Sequence, residues 1–255
     1  MCRIFDSHAH YDDSAFDSDR YELLDRLFSD SVYGIINVGC SLKSCESSLA
    51  LAERYERVYA AVGIHPEDAD KLPADYLSRI RDFAACDKAV AIGEIGLDYY
   101  YEGYDREAQL RVFEEQLQLA TELDLPVIIH SREACADTMA LLEKYRPKGV
   151  MHCFSGSAET AEQIVNLGMY VGFTGVLTFK NAKKAVAACA AVPKERLLLE
   201  TDCPYMAPTP YRGERCNSGM IAQTAAKMAE IKGVTRDEML KICADNTKRL
   251  FGIAK

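Results

Sequence analysis

Short apolar segments alternate with longer amphipathic segments along most of the chain. The short segments have the length and composition of buried strands, whereas the longer ones repeat apolar residues with the period of a helix. Leu110, Phe113 and Leu117, for example, share one helical face. The pattern predicts strands at 3–8, 34–39, 57–64, 88–94, 126–130, 148–153, 169–174 and 196–201. It predicts helices at 19–30, 43–55, 74–86, 105–123, 133–145, 157–167, 180–191, 217–231 and 235–245.

Strands that alternate with helices in this way form βα units and a parallel sheet. Eight such units in 255 residues favour a (β/α)₈ TIM barrel over the alternative, a doubly wound open sheet. No long Ser/Gly/Pro run, charge block or low-complexity segment interrupts the sequence. We therefore expect residues 1–255 to form a single domain, which is a usual length for such barrels.

All five histidines of the chain fall where a predicted strand ends, and a carboxylate ends two further strands. Active sites of (β/α)₈ barrels are built at the carboxyl ends of the strands, and histidine is the commonest metal ligand. An open sheet would not bring the ends of the first, fourth and eighth strands together. The pattern predicts one metal site, formed by His8, His10, Glu94, His130, His152 and Asp202, with His65 beside it.

The number of ligands suggests how many ions the site holds. His8 and His10 are two residues apart, so on a strand both project from the same face, and Asp6 is expected beneath them. Six ligands exceed the four of a tetrahedral zinc ion, which favours two divalent ions bridged by a carboxylate. Mixed nitrogen and oxygen ligands suit zinc or manganese, and magnesium where water completes its shell. The second and seventh strands end without a strong ligand.

Composition limits the class of protein further. The chain has 30 Lys and Arg against 39 Asp and Glu, a formal charge of −9. This charge argues against a protein that coats nucleic acid by neutralising phosphates, but not against an enzyme whose bound cations supply local positive charge. The ten cysteines include no C-x-x-C pair, and the sequence lacks a signal peptide or a membrane span. We expect a reduced, cytoplasmic protein without a membrane or an obligate protein partner.

Seven segments, taken together and in order, resemble the signatures of the TatD family of metal-dependent deoxyribonucleases. They are FDSHAH at 5–10, GIHP at 63–66, GEIGLDY at 93–99, PVIIHSR at 126–132, HCFSG at 152–156, ETDCPY at 200–205 and NTKRLF at 246–251. The resemblance covers the whole chain. It implies a TIM-barrel hydrolase of the amidohydrolase superfamily that cleaves phosphodiester bonds of DNA with divalent metal ions, including 3′→5′ exonuclease action on single strands.

The resemblance also implies a division of the ligands. One ion would be held by His8, His10 and Asp202 and the other by His130 and His152, with Glu94 bridging both. Asp202, which would also contact the attacking water, is the expected general base.

Two residues are expected to contact substrate rather than metal. His65 would bind the phosphate, and its alternative is a helix-capping or loop histidine before Pro66. Arg132 could clamp a phosphate with two hydrogen bonds, or could be an ordinary residue in the first turn of a helix.

Two further hypotheses remain open. One is another hydrolase on the same scaffold, acting on amides, lactones or aminoacyl esters, including removal of D-amino acids from tRNA. The other is a non-catalytic metal-binding protein, which the complete ligand set disfavours. In addition, the loop at 212–217 reads RGERCN where the family usually has RGKRN, and this difference affects substrate contacts rather than the metal site.

Overall fold

The computed structural model describes residues 4–253, and its eight strands form one parallel sheet in which each strand pairs with the next along the chain. The fold prediction of a (β/α)₈ barrel is confirmed. Residue 3 of the first predicted strand lies outside the described residues. The strands are β1 (Ile4–Ala9), β2 (Val32–Val38), β3 (Val58–Val62), β4 (Ala89–Asp98), β5 (Val127–Arg132), β6 (Gly149–Met151), β7 (Tyr170–Phe173) and β8 (Leu197–Leu199).

Helices follow every strand, as the apolar periodicity predicts. They are α1 (Arg20–Asp30), α2 (Leu42–Arg54), α3 (Tyr76–Ala84), α4 (Arg106–Glu122), α5 (Cys135–Tyr145), α6 (Ala158–Asn166), α7 (Lys183–Ala191), α8 (Ile221–Lys232) and α9 (Arg236–Leu250). Several begin at a side-chain cap, such as Ser157, which accepts the N–H of Thr160 before α6. Between residues 4 and 253, no helix combines the length and apolar character needed to cross a membrane.

Apolar residues of the strands divide between two clusters. The smaller cluster includes Phe5, Ile36 and Leu198 and lies inside the ring of strands. The larger one includes Ile35 and fills the space between the strands and the helices. Neighbouring residues of a strand, such as Ile35 and Ile36, fall in different clusters because successive side chains point to opposite faces. The alternation therefore shows which side chains point into the barrel.

At His8 in β1 and at Glu94 in β4, the strand carries one residue more than its pairing partner. Asp6 pairs with Ile35 and Ala9 with Asn37, so three steps along β1 match two along β2. A similar irregularity separates Ile92 from Ile95 in the pairing of β4 with β5. A bulge of this kind changes which face the following side chain occupies. The irregularity in β1 spans His8, and the one in β4 spans Glu94. Each turns its residue toward the barrel interior.

These bulges correct two expectations. Asp6 does not lie beneath His8, because the bulge between them places the two side chains on different faces. Glu94 does not end its strand either. Pairing with β5 continues through Gly96 and Leu97 to Asp98, and this whole stretch is buried. The local sequence predicts that a strand is present. It does not predict the residue at which pairing with a distant strand ends.

The barrel closes between β1 and β8 through both backbone and side-chain hydrogen bonds. His10 N donates to Cys203 O at 2.9 Å, and Asp202 N donates to His8 O at 2.9 Å. Asp6 accepts from Thr201 N at 3.0 Å, Thr201 Oγ1 at 2.6 Å and Ser218 Oγ at 2.7 Å. Burial raises the pKa of Asp6 to about 6, although these hydrogen bonds oppose the rise. Asp6 thus ties the backbone beside Asp202 to the strand that carries His8.

We expect Asp6→Ala to weaken this closure severely. The substitution leaves several buried donors without an acceptor, at about 1–3 kcal/mol each. The free energy of unfolding should fall by about 3 kcal/mol or more, and the Tm by about 6–12 °C. Thermal and denaturant unfolding measure both quantities. Ser29→Ala removes one exposed hydrogen bond to Asp25 O and serves as the control. A similar small loss in both variants would contradict the role of Asp6.

Candidate metal centre

Three side chains from the ends of β1 and β8, those of His8, His10 and Asp202, meet at one side of Glu94 in β4. His8 Nε2 lies 3.0 Å from His10 Nε2 and 3.3 Å from Glu94 Oε2. Asp202 Oδ1 lies 3.3 Å from His10 Nε2 and 3.7 Å from His8 Nε2. His8 and Glu94 are buried, and Asp202 and His10 are largely so. The bulge in β1 and the irregularity in β4 are what turn these side chains toward one another.

Three histidines lie at the other oxygen of the same carboxylate. His130 Nδ1 and His152 Nε2 are each 2.8 Å from Glu94 Oε1. His65 Nε2 is more distant, at 3.8 Å from the same oxygen. The structure thus brings together all seven residues predicted from strand ends. Glu94 stands between two groups of them, with one oxygen facing each group.

The spacing of these atoms suits a shared cation. Ligands held about 2.0–2.2 Å from one ion lie about 3.0–3.6 Å from one another. The distances from His8 Nε2 to its three neighbours, 3.0 to 3.7 Å, fall close to this range. The buried Nδ1 atoms of His8 and His152 have no hydrogen-bond partner among the described residues. Imidazole nitrogens and carboxylate oxygens at this spacing form a donor set that suits a divalent metal ion.

Two members of the cluster, Glu94 and His8, have the protonation state that metal binding requires. Burial raises the pKa of Glu94, but the charges of His152 and His8 outweigh it and hold this pKa well below its usual value. Burial and the neighbouring His152 lower the pKa of His8 to about 4. At neutral pH, Glu94 is therefore ionised and the His8 imidazole is neutral. Both are in the form that binds a metal ion.

Asp98 is part of the site although strand ends did not predict it. Its Oδ2 lies 3.0 Å from His130 Nε2, on the opposite side of the ring from Glu94. Burial lowers the pKa of His130, but its contacts with Asp98 and Glu94 outweigh this and raise it to about 9. A carboxylate that holds the outer nitrogen of a ligating histidine fixes the ring and makes it a stronger ligand. Asp98 follows Glu94 by four residues, and on a strand this spacing places two side chains on the same face. The spacing could therefore have predicted that Asp98 is part of the site.

Glu200 and Cys40 also border the cluster and were not predicted. Glu200 Oε1 lies 3.7 Å from His152 Nδ1 and accepts the backbone N–H of Cys153. Cys40 Sγ, at the end of β2, lies 3.6 Å from Glu94 Oε2 and 3.8 Å from His10 Nδ1. The second strand therefore does contribute a polar side chain to the site. Its thiol is a weak donor, and the prediction considered only histidines and carboxylates.

His65 caps a helix, which is the alternative role that the sequence left open for it. Its Nδ1 accepts the backbone N–H of Glu67 at 3.3 Å and so caps the short 3₁₀ helix Pro66–Asp68. A neutral imidazole that accepts at Nδ1 carries its proton on Nε2, the atom that faces Glu94. Burial lowers the pKa of His65 to about 4, so the ring is neutral at pH 7. It presents an N–H to the cluster.

Arg132 lies on the rim and not among the histidines. It is the last residue of β5, so it does not belong to the first turn of α5. Its guanidinium stacks 3.5 Å from the centre of the Tyr100 ring and donates to Tyr101 Oη at 3.4 Å. Tyr100 and Tyr101 are both exposed. In the unusual loop at 212–217, Glu214 is exposed and Cys216 is buried.

Comparison with known proteins agrees with this geometry. The sequence profile described as TatD related DNase matches residues 5–252. An uncharacterized metal-dependent hydrolase of Bacillus subtilis, YabD, is 39% identical over 98% of this chain and 99% of its own length. The 3′–5′ ssDNA/RNA exonuclease TatD of Enterobacter lignolyticus is 33% identical over 98% of this chain and 100% of its own.

Solved structures give the same result. The crystal structure of YjjV, a TatD homologue from Escherichia coli, superposes with a TM-score of 0.93 at 34% identity, covering 99% of both chains. A barrel with a histidine and carboxylate cluster at its carboxyl end defines a metal-dependent hydrolase. More particularly, the chain belongs to the TatD family, as its sequence resemblance implied.

We expect Asp98→Asn to weaken metal binding without unfolding the barrel. Loss of the negative charge should lower the pKa of His130 from about 9 toward its ordinary value. Affinity for the metal should fall about 10–100-fold, as for other residues that orient a ligand. Histidine NMR titration and competitive metal titration measure the two effects. Asp105→Asn preserves the cap of α4 and is the control. Unchanged affinity in Asp98→Asn would contradict the orienting role.

Proposed function

We propose that the chain is a nuclease that hydrolyses phosphodiester bonds of single-stranded DNA from the 3′ end, with two divalent ions at the Glu94 cluster. The observation that carries the two-ion proposal is the division of Glu94, whose Oε2 faces His8 and whose Oε1 faces His130 and His152. His8, His10 and Asp202 would hold one ion, His130 and His152 the other, and Glu94 would bridge them. Zinc, manganese or magnesium would suit these ligands.

Each residue then has a defined task around the scissile phosphate. Bound divalent ions would lower the pKa of water and polarise the phosphoryl oxygen. Asp202 is the proposed base that takes the proton of the attacking water. Burial raises its pKa, but the hydrogen bond with His10 and the charge of His152 outweigh this and lower it. Asp202 is therefore ionised at neutral pH and able to accept a proton.

His65 is proposed to hold the phosphate. Because its Nδ1 is occupied by the Glu67 N–H, its Nε2–H is free to donate to an anionic oxygen beside Glu94. A fixed donor of this kind stabilises the charge that develops as the phosphoryl group is attacked. Arg132 is a second proposed substrate contact. Its position over Tyr100 places a cation and an aromatic surface at the rim, a combination that favours stacked bases and backbone phosphates.

DNA is proposed as the substrate because of the relatives. The Enterobacter and Citrobacter proteins named 3′–5′ ssDNA/RNA exonucleases are each 33% identical to this chain over 98% of its length. Divalent ions held by the cluster would activate water against carbonyl and phosphoryl centres alike. The choice of substrate therefore needs a direct assay.

The test is turnover by the metal-reconstituted chain on single-stranded DNA labelled at either end, beside aminoacyl-tRNA and amide substrates. We expect nucleotides to be released from the 3′ end of DNA, with little turnover of the other substrates. Glu94→Gln, which removes the charge between the two ligand groups, should lose most of its metal and activity, whereas the exposed Glu102→Gln should retain both. Faster turnover of aminoacyl-tRNA or amides would overturn the proposal, and full metal content in Glu94→Gln would overturn the bridge.

Capping and catalysis by His65 can be separated by two variants. His65→Ala loses both functions, whereas His65→Asn keeps a side-chain oxygen that can cap the 3₁₀ helix but has no donor at the Nε2 position. Both variants should retain near wild-type metal content and lose about 10²–10³-fold in kcat on DNA, as when an oxyanion donor is removed. Metal analysis and single-turnover kinetics provide the measurements. Recovery of activity in His65→Asn would make His65 a capping residue only, and loss of metal would make it a ligand.

A further inference from the structure

Two cavities open beside the cluster, on different sides of β5. The first, of about 380 Å³, lies between the loops that follow β3 and β4. The second, of about 310 Å³, lies between the loops that follow β5 and β6 and the start of α7. The second cavity includes His152, which also belongs to the Glu94 cluster. His152 is therefore the residue through which a ligand in this cavity would neighbour the cluster.

Charge distinguishes the two cavities. Five carboxylates and one lysine line the first: Glu67, Asp70, Asp98, Glu102, Asp105 and Lys71. The second has one carboxylate, Glu133, and one lysine, Lys184. In addition, the segment 171–194, which supplies Lys184, contains no acidic residue in a chain of net charge −9. A phosphate-bearing ligand is repelled by the larger cavity and tolerated by the smaller one.

The wall of the second cavity suits a nucleoside. Met139, Met151 and Phe154 form an apolar surface against which a planar base can pack. Ser155 and Thr160 place hydroxyl groups in the same space that can bind a sugar or the edge of a base, whereas Ser131 Oγ and Thr138 Oγ1 hydrogen-bond to each other at 3.0 Å. The volume is at the lower end of the ~300–1,000 Å³ typical of small-molecule sites. It fits one nucleotide unit rather than a longer stretch of strand.

We infer that the second cavity receives the nucleoside of the nucleotide that is released, while its phosphate faces the Glu94 cluster. The inference rests on the proposed nuclease function and adds the place of the terminal nucleotide. Lys184, at the cavity wall, would attract the phosphate-bearing strand into this side of the site.

Cysteine alkylation tests the inference without relying on turnover. Cys135, exposed, and Cys153, partly exposed, line the second cavity, whereas Cys86 is exposed at the end of α3 and lines neither cavity. Thymidine 5′-monophosphate, added to the full chain with magnesium, should slow alkylation of Cys135 by iodoacetamide about tenfold at about ten times its dissociation constant. Cys86 should react at an unchanged rate. Inorganic phosphate alone should protect neither.

The outcomes separate this inference from the proposed function. DNA hydrolysis without protection of Cys135 would overturn the inference and leave the function intact, as would equal protection by inorganic phosphate. Protection without DNA hydrolysis would support a nucleotide site and overturn the nuclease. Absence of both would overturn both.

A charge reversal provides a second measurement. Lys184→Glu should raise the KM for single-stranded DNA about tenfold with little change in kcat, because the residue acts on binding and not on the reacting atoms. Lys183→Glu alters the same net charge on the neighbouring residue, which does not line the cavity, and is the matched control. Equal effects of the two variants would indicate a general charge effect and would overturn the role of Lys184.

Discussion

The structure depends on one constraint: it is energetically unfavourable to bury several nitrogen and oxygen atoms with lone pairs close together. His8 Nε2, His10 Nε2 and Glu94 Oε2 lie within 3.0 to 3.7 Å of one another, mostly out of contact with water. Such a group is stable only with protons or metal cations among its members, and only on a rigid frame. The closed sheet supplies that frame, and Asp6 anchors it at the one junction where the first and last strands must meet.

The architecture was predictable because the buried strands and the amphipathic helices have different periods, and eight repeats of this alternation leave few folds to choose from. The limits of individual elements were less predictable. β4 extends to Asp98 through pairing with β5, and α9 extends to Leu250 although its apolar pattern fades earlier. In both cases a contact with a distant segment, rather than the local sequence, determines the last residue.

The position of the candidate site was predictable for a similar reason. In a barrel, the carboxyl ends of all strands meet at one face, where the active site is built. The position of the five histidines at strand ends therefore predicted the site without knowledge of their contacts. Asp98 and Glu200 were missed because their strands end elsewhere than predicted: β4 extends to Asp98, and β8 stops at Leu199, directly before Glu200. Asp98 and Glu200 contact His130 and His152, whereas Cys40 contacts Glu94 through a thiol, which is a weaker ligand than the residues that the sequence analysis considered.

The bulge in β1 has a consequence for how this sequence can change. Three steps from Asp6 to Ala9 span the distance of two steps in β2, and this surplus residue is what turns His8 inward. A deletion of one residue here would restore a regular ladder and rotate every later side chain of the strand to the opposite face. The distance in residues from Phe5 to His10 is therefore constrained as strictly as the histidines themselves. Insertions and deletions are expected in the loops, because a residue added there does not change the direction of the side chains in any strand.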